Sequence, residues 1–320
     1  MLSVVRPMRM FTIPLFRRFW WLQSLVLVWL LLTGCGSYTP EVHTPALWKA
    51  TSAQGSTMYL FGSVHVGHAT YYPLHPTIQK AYKDSNKLFV EVDILNIDAK
   101  KYATLSEDAR NEVKDGKKKV SPDIELKIKR ALARRGVNAN EIYNRYKFWY
   151  LMELLTQQTL PTGLHPDYGV DAHFLKQAQE DKMPIVELET IKSQLQMLVD
   201  IGNNHPNTYY NYLTDYDYRS FSIVRLLTLW KKGNPDALAE SLFAPLTKNE
   251  EFEPIYKALF FDRNKAMAEK LIKTHKAGET PFVVVGAGHF VGKQSILTHL
   301  QKSGYKVEQV ELVAMARNET

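Results

Sequence analysis

The chain of 320 residues has a single cysteine, Cys35, so an internal disulfide is excluded and any folded domain must be held by its core. Its first 34 residues lack acids: Met1 to Gly34 carries Arg6, Arg9, Arg17 and Arg18 but no Asp or Glu. No P-loop, no G-x-S-x-G elbow and no H-E-x-x-H occurs, which leaves phosphate-cradling, serine-hydrolase and thermolysin-like readings without a motif. The formal charge of +7 falls to about +3 once the four leader arginines are set aside, so nucleic acid is not an expected partner.

The leader itself is informative. Its arginines precede an apolar run from Phe19 to Leu32, broken only by Gln23 and Ser24, which is the layout of a signal peptide. That run is marginal for a bilayer with about 30 Å of hydrocarbon and ends in the small residues Thr33 and Gly34. Leu32-Thr33-Gly34-Cys35 resembles the lipobox of bacterial lipoproteins, with the cysteine at the acylated position. Cleavage after residue 34, lipidation of Cys35 and a tether over 35–45 are therefore expected, with the membrane as a partner through the lipid. Gly36 and Ser37, with no aspartate after the cysteine, favour the periplasmic face of the outer membrane where the cell has two membranes.

Residues 46–320 read as one domain of the α/β (α+β) class, a mixed β-sheet with surrounding helices and a large helical insertion or cap at about 205–275. Ala46–Ala50 and Thr57–Phe61 read as a hairpin around a turn-rich connection. A helix follows from Pro76, a buried strand over Lys87–Asp93, and helical, more charged sequence from Ile97 to about Leu160. Tyr168-Gly169-Val170-Asp171 opens another helix, Pro184–Leu188 is a short strand, and Gly233-Asn234-Pro235 breaks the helical stretch. A strand at Pro281–Val285, a helix over Gly292–Ser303 and a strand from Tyr305 to Leu312 close the chain.

One pattern occurs twice. Gly62-Ser63-Val64-His65 and Gly286-Ala287-Gly288-His289 each place G-x-x-H at the end of an apolar strand. Ligands of open α/β sheets sit beyond the carboxyl ends of strands, so His65 and His289 can meet across one site. Two imidazoles with a carboxylate are a frequent ligand set for a divalent metal, with glycine allowing a sharp turn before each histidine. Glu91, ending its own buried strand, is the candidate carboxylate, as ligand or as base for a bound water.

These residues resemble the TraB/GumN family (TraB/PrgY/GumN, TIKI-like), which includes plasmid-pheromone shutdown proteins and Wnt-cleaving TIKI proteases. The similarity runs from about Leu47 to Leu312. Supporting pieces are Glu91 with Asp93, Tyr168–Asp171, Leu188-Glu189-Thr190 with Gln194, Leu229–Gly233, Asp262-Arg263-Asn264, and His289 with Val291-Gly292-Lys293. The resemblance implies a fold related to erythromycin-esterase and haem-binding ChaN-like proteins. It implies a site of His65, Glu91, Arg263 and His289, with Glu189 as a fifth member, and manganese or cobalt ahead of zinc. Asp262 stands where glutamate is frequent. On this reading His65, His289 and Glu91 are metal ligands, and Glu91, Arg263 and Glu189 are catalytic. Arg263 would hold a substrate carboxylate or an oxyanion, or else pair with Glu91 or Glu189 and only orient the site. Glu189, just before a helix, could simply cap it, which is the stronger of its two readings; His68 could rim the site, and Asp171 is expected to cap or orient. The function implied is a lipid-anchored, metal-dependent hydrolase acting on a peptide or small protein at the cell envelope. The rival is a haem- or peptide-sequestering lipoprotein without turnover.

Overall fold

Apolar residues alternating between two faces set the sheet. β1 (Leu47–Thr51) and β2 (Thr57–Ser63) form the expected antiparallel hairpin, with Leu47 opposite Phe61. β3 (Lys87–Val90), β4 (Ile185–Glu187), β5 (Pro281–Gly286) and β6 (Lys306–Val310) complete a six-stranded sheet in the order β4-β3-β5-β2-β1-β6. β2, β5, β3 and β4 run parallel, and β1 pairs antiparallel with both β2 and β6. The fold is mixed α/β. It is seen in a computed structural model that describes residues 43–111, 118–156, 160–214 and 223–312. The leader, Cys35 and the tether up to Val42 lie outside the described residues.

The helices that follow β2 are α1 (Pro76–Lys83), α2 (Ala99–Arg110), α3 (Pro122–Arg134), α4 (Ala139–Arg145) and α5 (Phe148–Thr156). Next come α6 (Val170–Glu180), α7 (Ile191–Asn204), α8 (Pro206–Thr214), α9 (Ile223–Lys231) and α10 (Pro235–Lys248). α11 (Glu253–Tyr256) runs through a π turn at Lys257–Phe261 into α12 (Asp262–Thr274), and α13 (Ile296–Lys302) precedes β6. α1, α3 and α10 begin with proline behind the caps His75, Ser121 and Asn234, where proline's missing N–H costs nothing. Gly233, at a φ of +61°, makes the break expected before α10.

β5 is the middle of the core. Phe282 and Val284 pack with Phe61, Tyr82 and Phe174 on the face covered by α1 and α6. Val283 and Val285 pack with Leu60, Met267 and Leu300 on the face covered by α12 and α13. A strand buried on both faces needs an unbroken apolar run, which is what these residues supply. Each such side chain stabilises the fold by about 1.5–3 kcal/mol relative to exposure.

A third apolar cluster lies among the helices alone. It joins Ile128, Tyr143, Phe148 and Leu151 to Ile201, Tyr212, Phe252 and Tyr256. The helical layer therefore draws on two stretches of chain, one before β4 and one after it, and the segment 205–275 supplies part of the second. Residues 43–45 of the expected tether pack against the domain, with His43 7% exposed and the Thr44 N–H donating to the Lys231 carbonyl at 3.0 Å. Among the described residues no helix is long and apolar enough to cross a membrane.

Candidate active site

The four parallel strands end together, and each delivers a candidate residue just past its carboxyl end. His65 follows β2, Glu91 follows β3, Glu189 follows β4 and His289 follows β5. β3 stops at Val90, short of the expected Asp93, so Glu91 is the first residue beyond the strand. Arg263 arrives from the first turn of α12, directly after the π turn, a helix irregularity common at functional sites.

The carboxylates and the guanidinium form one network. Arg263 Nη2 donates to Glu91 Oε2 at 2.7 Å and to Glu189 Oε2 at 2.6 Å, and Nε donates to Glu189 Oε1 at 2.9 Å. Nη1 donates to the Leu259 carbonyl of the π turn at 3.0 Å. Gln194 Nε2 donates to Glu189 Oε2 at 3.1 Å and to Glu91 Oε2 at 3.4 Å. The Gly286 N–H donates to Glu91 Oε1 at 2.7 Å. Burial alone would raise the Glu91 carboxyl, but His289, Arg263, His65 and the Gly286 N–H outweigh it and lower it to about 2. Burial likewise opposes the charge of Arg263, and the two glutamates more than offset that.

Both histidines are oriented from Nδ1. His289 Nδ1 lies 2.6 Å from Asn264 Oδ1, and Asn264, fully buried, donates Nδ2 to the Gln294 carbonyl at 2.7 Å. That second bond fixes which end of the amide faces the ring, so Oδ1 accepts and the His289 proton resides on Nδ1. Its Nε2 is left 3.9 Å from Glu91 Oε1 with a free lone pair. Burial lowers the His289 imidazole to about 4, prevailing over the charge of Glu91. His65 Nδ1 lies 3.2 Å from Asp171 Oδ1. The His65 pKa is raised by the Asp171 carboxylate beside it, and the charge of Glu91 adds to this. The ring is 70% exposed, so solvent tempers the effect.

The glycines of the two motifs serve space rather than the sharp turn expected of them. A Cβ on Gly62 would stand 2.9 Å from the Ala287 Cα, so this glycine lets β2 and the second motif interlock. A Cβ on Gly286 would lie 3.1 Å from Glu91 Oε1, 3.6 Å from His289 Cδ2 and 3.8 Å from His65 Nε2. Gly286 itself has φ −48° and ψ 132°, open to any residue. The two imidazoles and the carboxylate thus surround the volume that a side chain here would fill. Gly169 acts in the same way on the other flank: a Cβ there would come within 2.6 Å of the His65 carbonyl oxygen. Its absence seats α6 against the histidine loop and brings Asp171 beneath the ring.

Other candidates are placed elsewhere. Asp262 pairs with Lys257 at the surface and is 60% exposed, so its difference from the frequent glutamate does not reach the network. His68, which was a candidate for the rim, accepts the Thr70 N–H as the cap of a short 3-10 helix. His75 and His165 cap in the same manner from Nδ1. Asn264 and Gln194 are the site residues for which the sequence suggested no role. Ser63 is another: its Oγ is buried without a partner at the end of β2, in register with Gly286.

As donors, two Nε2 atoms and a carboxylate suit a divalent cation in kind, and Asp171 and Asn264 are the outer partners such ligands require. Among the described residues, no group of three or more His, Cys, Asp or Glu side chains is gathered closely enough to hold a metal ion. The set is therefore the right chemistry in an open arrangement.

The uncharacterized protein YbaP of Escherichia coli (strain K12) is 24% identical over 239 residues, covering 74% of this chain and 85% of the relative. The protein of the same name from Shigella flexneri matches with the same identity and coverage. The model of the TraB/PrgY/gumN family matches residues 46–309, from the start of β1 almost to the end of β6, and the chain belongs to that family.

Proposed function

We propose that the chain is a lipid-anchored envelope protein that hydrolyses peptides or small proteins with the help of a divalent cation, manganese or cobalt ahead of zinc. One observation carries this reading: two imidazoles are held from Nδ1 by outer partners, and both Nε2 atoms border the same space beside the Glu91 carboxylate. His65, His289 and Glu91 would hold the cation, whose contribution would be to polarise the scissile carbonyl and lower the pKa of a water. Glu91, with its carboxyl near 2, suits a ligand better than a base. Arg263 has four of its five N–H groups engaged by Glu91, Glu189 and Leu259, which makes it a positioning residue acting through the two glutamates. Cys35 would carry the lipid, and the outer membrane's periplasmic face is the proposed location.

The test is metal content by mass spectrometry on the full chain purified without chelating resin, beside the double variant His65→Ala, His289→Ala. A peptide library is then digested with manganese, cobalt or zinc added. Roughly one or two metal ions on the wild type alone, with cleavage only when metal is present, is the expected result. Failure to bind metal in any form, with uptake of haem or a peptide and no turnover, would replace the hydrolase by a sequestering protein. Metabolic labelling with a fatty acid, lost in Cys35→Ser, tests the anchor.

A further inference from the structure

β4 is an edge strand, and its open side faces a cavity. The pairing with β3 puts Leu88 opposite Ile185 and Val90 opposite Glu187. The Leu88 N–H donates to the Pro184 carbonyl at 2.9 Å and the Leu188 N–H to the Val90 carbonyl at 2.7 Å. Because backbone groups alternate sides along a strand, residues 184, 186 and 188 face β3, and Ile185 and Glu187 turn their N–H and C=O groups outward. Among the described residues no strand pairs with that side. An open ladder of this kind is a template for another strand.

The cavity beside this edge has a volume of about 430 Å³, within the range of ligand sites, and Ile185 and Glu187 form one wall of it. Tyr102 and Leu105 of α2 also line it. Asp93, Asp98 and Glu187 line it together with Lys192, and Glu187 Oε1 accepts the Asp93 N–H at 2.8 Å, which leaves its second carboxylate oxygen toward the edge's own cavity. Tyr102, in its lining, is 44% exposed, and Ile94 and Leu95, between the lining residues Asp93 and Asn96 in sequence, are exposed by 45 and 38%. The edge also leads into the active site. Glu189 stands two residues beyond Glu187, about 7 Å along an extended chain, with its carboxylate on Arg263.

We propose that β4 is the docking strand for the substrate: an extended peptide adds to its outer edge, and the cavity receives a basic side chain of that peptide. Main-chain bonds to Ile185 and Glu187 supply affinity and direction, and the carboxylates select the charge. A peptide so aligned runs past Glu189 onto the space between Glu91 and the two histidines. This deepens the hydrolase reading by naming its substrate class, and the binding test below stands apart from turnover.

The experiment is fluorescence anisotropy with the full chain in detergent micelles and a chelator. The probe is a fluorescein-labelled heptapeptide of alternating threonine and valine with one central lysine. N-methylation of the amides of one alternating set should weaken binding roughly tenfold, from the loss of one or two edge bonds, and methylation of the other set should change it less than about twofold. Replacing the peptide's lysine by glutamate should weaken it by a similar factor, and Glu187→Lys should abolish that preference. Ile185→Pro, which removes an outward N–H, should mimic the methylated probe. No saturable binding, indifference to which amides are methylated, or indifference to charge would each overturn the proposal. Edge binding without cleavage of any peptide under any metal would sink the hydrolase and leave the docking strand standing. Cleavage with indifferent binding would do the reverse.

Discussion

Replacing Arg263 by methionine nearly keeps the volume of the side chain and removes the one cation among the described residues that is bonded to both Glu91 and Glu189. Their Oε2 atoms lie within 2.7 Å of the same Nη2, and the two side chains are only 12 and 11% exposed. Two unit charges about 4 Å apart repel by about 4 kcal/mol at an effective dielectric of about 20. Breaking a buried ion pair by removing one partner costs about 3–5 kcal/mol, which agrees. For a domain of this size that lowers Tm by roughly 8–16 °C. The variant also changes the pH dependence. In the wild type the Glu91 carboxyl lies near 2, below its unfolded value of 4.5, so its contribution is complete above pH 4.5 and is lost as pH falls toward 2. In Arg263→Met the two carboxylates share a proton, so one titrates above its unfolded value and stability returns as pH falls from 7 to 5. Calorimetry in the presence of a chelator should show a large Tm gap at pH 7 that narrows at pH 5, and Glu189→Gln added to the variant should restore about half of it. A Tm loss below about 2 °C, or an equal gap at both pH values, would refute the reasoning.

Gly286→Ala places a methyl group amid Glu91, His289 and His65 without backbone strain, so metal binding by titration calorimetry and peptide cleavage should both collapse while stability falls by less than about 2 kcal/mol. Asn264→Leu frees the His289 ring, and activity or metal affinity should fall roughly 10–100-fold. In nitrogen-resolved NMR the wild-type His289 should be a neutral Nδ1–H tautomer down to about pH 5, a signature the variant loses. Metal must displace the His65 proton, whose pKa is raised above 6.5, so affinity should climb with pH across neutrality by up to about tenfold per unit, with one proton released per ion bound. A pH-independent affinity would remove His65 from the ligand set.

The strand ends were legible because apolar runs that stop at glycine or at an acid mark where a buried parallel strand leaves the sheet. That places His65, Glu91 and His289 at one end of the sheet from the sequence pattern alone. Of the outer partners, Asp171 was legible at the start of its helix and Asn264 was not. Asn264 lies 25 residues from His289 on another element, and a neutral amide leaves no charge pattern to read. Amphipathic sequence marked the helices, but periodicity does not name a helix's partner, so the joining of two separate stretches around Tyr143 and Tyr256 was hidden. The capping histidines carried a usable signal, since His75 and His165 stand directly before proline at a helix start. Strand order was beyond reach, and with it the open edge of β4.

β5 lies between β2 and β3 in space but follows both by a long stretch of sequence. Until Pro281–Gly286 has emerged, β2 and β3 have no shared neighbour, and the nascent chain carries two unsatisfied sheet edges over an incomplete core. Among the described residues only short helices and the edge strand β6 follow it, so the strand that brings His289 also joins the two halves of the sheet, and the site and the middle of the core are completed together. A chain truncated before Pro281 should emerge as an aggregating fragment, detectable by sedimentation and by loss of protease resistance, rather than as a folded protein with weak activity. In a chain with no disulfide in reserve, the late insertion of this central strand keeps a half-made site from existing.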